Sequence, residues 1–206
     1  MFNKSNINHY KKPYSLGIIG GGQLALMLVE AAKSRNIKVC VQTKSPSDPG
    51  SLKADLVIEA DPLQLKGNKN LIKECDKIIF ENEWVRIDKL KELGSDDLFV
   101  PNLEALAPLV DRISQKKFIN KLNLPTPKWI TTREFKKLTE ESRDQWKFPL
   151  MAKSFKGGYD GKGNKKITNK KEFDTFLSKT FSEDWLLEEW VDYRNEFALV
   201  GSRDNL

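Results

Sequence analysis

At residues 15–31 the sequence reads SLGIIGGGQLALMLVEA. Its first five residues are apolar or small, which is typical of a short buried strand, and they run directly into three glycines. After the glycines, Leu24, Met27, Leu28 and Ala31 recur at helical spacing and predict one apolar helix face. The stretch therefore predicts a strand, a tight glycine turn and a helix.

The same alternation continues further along the chain. Asn36 is predicted to end the helix, strands are predicted at 37–41, 56–58 and 77–80, and a helix is predicted near 63–74. Alternating strands and helices with short connections are typical of a parallel sheet that is covered on both faces. The predicted fold class is therefore α/β.

The character of the chain changes after Asp111. A helix is predicted from Asp111 to about Leu122, and the two prolines within 124–127 cannot extend it. The break predicts three segments: a polar N-terminal extension at 1–14, an α/β domain at 15–123 and a second domain at 124–206. The second domain is predicted to contain a helix at about 133–146, a strand–helix pair, and strands at 150–153, 185–189 and 196–200.

Composition narrows the class of protein. The 206 residues carry a formal net charge of +6, but the 35 basic residues are scattered among 29 acidic ones, which indicates a solvated surface rather than a nucleic-acid interface. No apolar stretch is long enough for a signal peptide or a membrane span. Cys40 and Cys75 lack metal spacing and are predicted as reduced core residues. Together these features predict a cytoplasmic location without a membrane or nucleic-acid partner.

The first glycine loop, 20–25, fits the pattern G-x-G-x-x-[GA] between a strand and a helix. Such glycines let the backbone approach a phosphate at the helix N-terminus, although a ligand-free tight turn explains the pattern equally well. A nicotinamide-binding fold needs an acidic residue at the end of the second strand. Residues 41–43 are Val, Gln and Thr, which disfavours that class.

A second glycine loop follows Lys153. Residues 157–163 read GGYDGKG and are flanked by Lys153 and Lys156. Backbone amides and positive charge together suit a flap that closes over a polyphosphate and excludes water. The loop is not a Walker A motif, and a plain hairpin turn with solvated lysines is the alternative.

The GGYDGKG loop resembles the phosphate loop of the carboxyaminoimidazole ribonucleotide synthetases, ATP-grasp enzymes of purine synthesis. Four further segments are similar in order and spacing: 20–24 (GGGQL), 81–85 (ENEWV), 111–116 (DRISQK) with 124–126 (LPT), and 188–191 (EEWV) with Glu196. The resemblance covers about 16–204. It implies a Rossmann-like pre-ATP-grasp domain followed by an incomplete ATP-grasp domain.

The resemblance also implies roles for individual residues. ATP is expected at Arg112, Lys153, Gly157, Gly158, Asp160, Gly161, Gly163, Glu188, Glu189, Trp190, Val191 and Glu196. Tyr159 and Lys162 are implied as catalytic residues that face the aminoimidazole ribonucleotide, and Gly21, Gly22, Gln23, Leu24 and Glu83 as further substrate contacts. Simpler alternatives remain for three of them: Arg112 could pair with a surface acid, Glu83 could cap the following helix, and Glu196 could be a solvated strand residue.

The family couples ATP, bicarbonate and aminoimidazole ribonucleotide, uses Mg²⁺, and is expected to form homodimers at full length. Its metal-binding carboxylates and its final basic cluster are expected beyond Leu206, so the 206 residues are predicted to be inactive alone. The leading hypothesis is the ATP- and ribonucleotide-binding portion of this carboxylating ligase. A non-catalytic nucleotide-binding remnant or subunit, and a different carboxylate–amine ligase, are the alternatives.

Overall fold

A computed structural model of the chain describes residues 15–155, 163–180, 185–199 and 201. These residues divide into two compact units, one ending at Val110 and the other beginning at Asp111.

The first unit is a five-stranded parallel sheet with helices between its strands. Its elements are β1 (Ser15–Ile19), α1 (Gln23–Lys33), β2 (Lys38–Thr43), β3 (Leu56–Glu59), α2 (Leu65–Glu74), β4 (Lys77–Phe80), α3 (Ile87–Leu90), β5 (Phe99–Val100) and α4 (Leu103–Leu106). The strand order is β3-β2-β1-β4-β5, with β1 at the centre. The prediction of an α/β fold with a parallel sheet is confirmed.

Both faces of this sheet are buried, as a parallel sheet requires. Ile18 packs with α1 on one face, and Ile19 packs with α2 and Phe99 on the other. Cys40 and Cys75 are both buried in the cluster that contains Ile19, which confirms their prediction as core residues.

The apolar face predicted for α1 is not the one that packs against the sheet. Leu24 and Met27 are 56% and 58% exposed, whereas Ala25, Val29 and Ala32 are buried. The buried side chains are mostly small because α1 lies close to the neighbouring segment: a Cβ atom on Gly50 would lie 2.8 Å from the Cβ of Ala25. Close approach, rather than side-chain size, therefore selects the packing face.

The second unit is built on a four-stranded antiparallel sheet. Its elements are α5 (Arg112–Lys121), β6 (Trp129–Thr131), α6 (Thr132–Phe135), α7 (Glu140–Asp144), β7 (Leu150–Ser154), β8 (Asn164–Ile167), α8 (Lys170–Lys179) and β9 (Trp185–Glu189). The strand order is β6-β9-β7-β8. Aromatic rings from α6 and α8 cover one face of the sheet, with Phe135 and Phe173 in edge-to-face contact at 5.0 Å.

Two predictions for this unit are wrong. The helix predicted at 133–146 is two short helices, because Thr139 accepts a hydrogen bond from Ser142 N and caps a new helix there. The strand predicted at 196–200 is not found at 196–199, where Phe197 and Leu199 are more than 90% exposed. The segment has a strand-like pattern, but no described strand pairs with it.

Helix α5 belongs to the second unit, although the sequence pattern put the boundary after it. Its N-cap, Asp111, accepts hydrogen bonds from the backbone and hydroxyl of Ser114, both at 2.7 Å. The first helical residue, Arg112, donates its backbone N–H to Phe155 O at 3.3 Å. These contacts explain why α5 is grouped with β7.

In the described part of the chain, no helix has the length and apolarity needed to span a membrane.

Candidate functional site

The first glycine loop connects β1 to α1 and is held by backbone hydrogen bonds. Gly20 N donates to Gln42 O at 3.0 Å, and Gly21 O accepts from Gly50 N at 2.8 Å. Gly20 has a φ of +116°, which favours glycine. The predicted strand–glycine turn–helix arrangement is therefore present.

The carboxylate of Glu81 occupies the N-terminus of α1. Its Oε2 accepts from Gly22 N at 2.9 Å and its Oε1 accepts from Ala25 N at 3.4 Å. A helix N-terminus attracts an anion through its unpaired amides and partial positive charge. Here the protein supplies that anion itself, so the glycines make room for Glu81 rather than for a bare phosphate at this point.

A cavity of about 310 Å³ lies beside this loop. Its lining includes Gly20, Gly21, Gly22, Thr43, Lys44, Asp48, Glu81, Asn82 and Trp84. Of the residues predicted to contact substrate, Gly21 and Gly22 line it, whereas Gln23, Leu24 and Glu83 are not among its lining residues. Helix α3 begins after Arg86, whose side chain makes no capping hydrogen bond, and both interpretations of Glu83 stay predictions.

Six of the twelve residues expected at ATP line a second cavity, of about 430 Å³, in the second unit, whereas Arg112 and Gly163 are not among its lining residues. Its lining includes Lys153, Glu188, Glu189, Trp190, Val191 and Glu196, together with Met151, Asn164 and Tyr193. Strand pairing explains this convergence, since Met151 on β7 is paired with Glu188 on β9 and Lys153 with Asn164 on β8. Lys166 lies 4.0 Å from the centroid of the Trp190 ring and stabilises its position through a cation–π contact.

Glu188 is the most buried charged group of this cavity, with only 4% of its side chain exposed. Lys116 Nζ lies 2.5 Å from its Oε1, and Lys153 Nζ lies 2.5 Å from its Oε2. Burial raises the pKa of the Glu188 carboxyl, but hydrogen bonds and charge from the two lysines outweigh burial and leave the pKa below its ordinary value. The group is a buried cation–anion–cation arrangement with an excess of one positive charge.

Lys116 is the member of this group that the sequence did not predict. It lies on α5, 72 positions before Glu188, and it also donates to Thr126 Oγ1. The D-R-x-x-x-K spacing puts Lys116 one helical turn after Arg112, which is the local signal that could have pointed to it.

Arg112 begins α5 beside the end of β7, where the second glycine loop starts. Its Nε is buried and has no hydrogen-bond acceptor among the described residues, and no ion pair with a surface acid is found for it there. The surface-pair alternative is therefore not supported.

The hairpin that carries the second glycine loop is described only at its ends. Strands β7 and β8 pair as far as Lys153 and Asn164, and Ser154 N donates to Gly163 O at 2.7 Å. Six predicted site residues lie outside the described residues: Gly157, Gly158, Tyr159, Asp160, Gly161 and Lys162. Among the residues that are described, no group of three His, Cys, Asp or Glu side chains could hold a metal ion.

Comparison with known proteins gives two adjacent family matches. Residues 14–109 match the ribonucleotide synthetase preATP-grasp domain, and residues 117–205 match the ATP-grasp domain. The two matches correspond to the two units of the structure.

Curated relatives match across nearly the whole chain. The N5-carboxyaminoimidazole ribonucleotide synthase of Synechocystis is 36% identical over 92% of this chain and 47% of its own length. The Staphylococcus aureus MRSA252 protein of the same name is 28% identical over 97% of this chain and 53% of its own length. The chain thus spans about half the length of these relatives.

Solved structures agree with the sequence matches. The ADP complex of N5-carboxyaminoimidazole synthetase from Staphylococcus aureus matches with a TM-score of 0.77 and 26% identity, over 86% of this chain and 48% of that chain. The ATP complex of the Aspergillus clavatus enzyme matches with a TM-score of 0.77 and 26% identity, over 88% and 48%. The chain is therefore similar to the N-terminal portion of N5-carboxyaminoimidazole ribonucleotide synthases, with one match to a preATP-grasp domain and one to an ATP-grasp domain.

Proposed function

We propose that this chain forms the ATP- and ribonucleotide-binding portion of a cytoplasmic ligase that carboxylates 5-aminoimidazole ribonucleotide in purine biosynthesis. In that reaction bicarbonate takes the γ-phosphoryl group of ATP to give carboxyphosphate and ADP. The exocyclic amine of the ribonucleotide then attacks the carboxyl carbon, phosphate leaves, and the amine loses a proton to give the carbamate. The observation that carries the proposal is the cavity in which Lys153, Glu188, Trp190 and Glu196 meet.

The cavity suits a nucleotide because it combines three kinds of surface. Trp190 and Val191 offer apolar area for a base, and Glu196 offers two acceptor oxygens for ribose hydroxyls. Lys153 supplies positive charge at the point where the hairpin continues into the glycine loop. Arg112, whose backbone N–H bonds to Phe155 O, adds a second cation near that point.

Substrate binding at the first glycine loop is the second part of the proposal. With Glu81 already at the N-terminus of α1, we expect this loop to contact a neutral or amine-bearing part of the ribonucleotide rather than its phosphate. Tyr159 and Lys162 are proposed as further substrate contacts from their place in the family pattern. Mg²⁺ and a homodimer belong to the proposal for the full-length family, because the described residues contain no group of three His, Cys, Asp or Glu side chains that could hold the metal.

Loss of Lys153 is expected to weaken nucleotide binding. A charge-assisted contact to phosphate contributes about 1.5–3 kcal/mol, so Lys153→Ala should lower ADP affinity about 10- to 150-fold in calorimetric titration. Lys165→Ala is the matched control, because Lys165 pairs with Ala152 and lies over the Phe176 ring on the other face of the sheet. Equal affinities for ADP in the wild-type chain and Lys153→Ala would remove Lys153 from the site.

The second glycine loop is expected to be protected by nucleotide. If residues 157–163 cover the phosphates, saturating ADP should slow tryptic cleavage at Lys156 and Lys162, while adenosine should not. Cleavage at lysines of α8, such as Lys171, serves as the internal control. Unchanged cleavage at Lys156 and Lys162 with ADP bound would favour the plain-hairpin interpretation.

A further inference from the structure

We propose that Lys116 is a positioning residue of the nucleotide site, which holds Glu188 from behind and thereby leaves Lys153 available to an anionic ligand. This inference rests on the proposed function, since it concerns the same cavity. Lys116 does not line the cavity, so the role is one exerted through Glu188.

The geometry separates the two lysines by their access to the cavity. Lys153 and Glu188 line the cavity, whereas Lys116 is not among its lining residues. The side chain of Lys116 is 12% exposed, that of Lys153 is 29% exposed, and that of Glu188 is 4% exposed. Lys116 thus lies on the buried side of the carboxylate and Lys153 on the open side.

Each lysine is paired with a different oxygen of Glu188. Lys116 forms an ion pair with Oε1, which accepts no hydrogen bond of good geometry, and donates a hydrogen bond to Thr126 Oγ1, so its ammonium group has two partners. Lys153 binds Oε2 at 2.5 Å. Thr126 and Glu188 therefore hold Lys116 in place without a ligand. A residue that acts on the ligand only through Glu188 must be held in this way.

The net charge of Lys116, Glu188 and Lys153 determines how well the site binds a phosphate. A buried carboxylate that has lost its water must be compensated by a cation. If Lys153 were the sole cation, the Lys153–Glu188 pair would be neutral, and a phosphate would have to compete with Glu188 for Lys153. With Lys116 on Oε1, the carboxylate is already compensated, and one positive charge remains for the ligand. The class of ligand is therefore a nucleoside di- or triphosphate rather than a nucleoside.

The test is a double-mutant cycle on ligand affinity. Wild type, Lys116→Met, Glu188→Gln and the double variant are titrated with ADP and, separately, with adenosine. We expect Lys116→Met to weaken ADP binding about tenfold or more when residue 188 is Glu, with adenosine affinity unchanged. In the Glu188→Gln background there is no carboxylate to compensate, and we expect Lys116→Met to leave ADP affinity nearly unchanged. Lys116→Arg, which keeps the charge, should restore most of the ADP affinity.

Two patterns of affinity loss would overturn the inference. An equal loss of ADP and adenosine affinity would mean that Lys116 only supports the fold of the site. A loss of ADP affinity that persists in the Glu188→Gln background would mean that Lys116 attracts the phosphates directly rather than through Glu188. Lys117→Met, which removes the same charge from an exposed neighbouring position, is the control for long-range electrostatics and should change neither affinity.

The same experiment distinguishes failure of the inference from failure of the proposed function. A wild-type chain that binds neither ADP nor adenosine contradicts nucleotide binding itself, and the inference falls with it. A wild-type chain that binds ADP, but whose affinity is insensitive to Lys116→Met, overturns the inference alone.

Discussion

A Glu188→Gln variant is expected to lose about 3 kcal/mol of unfolding free energy, because removal of one partner from a buried ion pair leaves the other charge uncompensated. The side chain of Lys116 is 12% exposed and cannot turn fully into water, whereas that of Lys153, at 29%, can do so more easily. The loss should therefore come mainly from Lys116. Urea denaturation of the two chains at pH 7 measures it.

The matched control is the next residue on the same strand. The side chain of Glu189 is 44% exposed, and it lies 3.8 Å from Lys128, so Glu189→Gln should change stability by less than about 1 kcal/mol. Adding Lys116→Met to Glu188→Gln removes the stranded cation and should recover part of the loss. Equal destabilisation by the two glutamine substitutions would contradict the assignment of Glu188 as a buried, compensated charge.

The same pair of chains predicts a pH dependence with a defined sign. The pKa of Glu188 is lowered in the folded chain, so its stabilising contribution is present above the unfolded value of about 4.3 and is lost as pH falls through the folded pKa. The stability difference between wild type and Glu188→Gln should therefore be constant near neutrality and shrink below about pH 4.

A Gly20→Ala variant is expected to lose about 2–4 kcal/mol of unfolding free energy, from backbone strain and from overpacking. Its φ of +116° is strained for alanine, and the added Cβ would lie 2.4 Å from Oε2 of Glu81. Gly22→Ala introduces a steric clash without backbone strain, because its added Cβ would lie 2.4 Å from Oε1 of Glu81. It should lose about 1–3 kcal/mol of unfolding free energy.

Removal of the Glu81 carboxylate tests the origin of the clash at Gly22. In a Glu81→Ala background, Gly22→Ala should cost almost nothing further, while Gly20→Ala should still lose about 2–4 kcal/mol, because its backbone strain and its clash with the Cβ of residue 81, at 2.6 Å, both remain. Gly94→Ala is the control, because Gly94 is exposed and its added Cβ would meet only the flexible end of Leu98. A Gly22→Ala penalty that is unchanged without Glu81 would show that the glycine serves another purpose.

The sequence predicted the features that depend on neighbours along the chain. Strands β1, β3 and β4 and the helix opened by Asp111 lie at or within one residue of their predicted bounds, because apolar runs and caps are local signals. Family resemblance, and not a local pattern, predicted that Lys153 and Glu188 belong to one site. Pairing between β7 and β9 brings the two side chains together.

The features that the sequence missed depend on contacts between distant residues. The packed face of α1 is chosen by its approach to Gly50, and periodicity alone cannot distinguish that face from the one containing Leu24. The helix predicted at 133–146 continues across Thr139, but in the structure Thr139 caps a new helix instead of continuing the first one. Lys116 was missed because its partner, Glu188, lies 72 positions away on another element.

The satisfied backbone of the first glycine loop has a consequence for the thermodynamics of ligand binding. Glycine-rich segments have large conformational entropy, and ordering them on binding lowers affinity. Here Gly20 N, Gly21 O and Gly22 N already have partners in Gln42, Gly50 and Glu81. The entropy of ordering is lost during folding rather than during binding. The loop is thus preorganised, and a ligand that binds there loses no affinity to the entropy of ordering the loop.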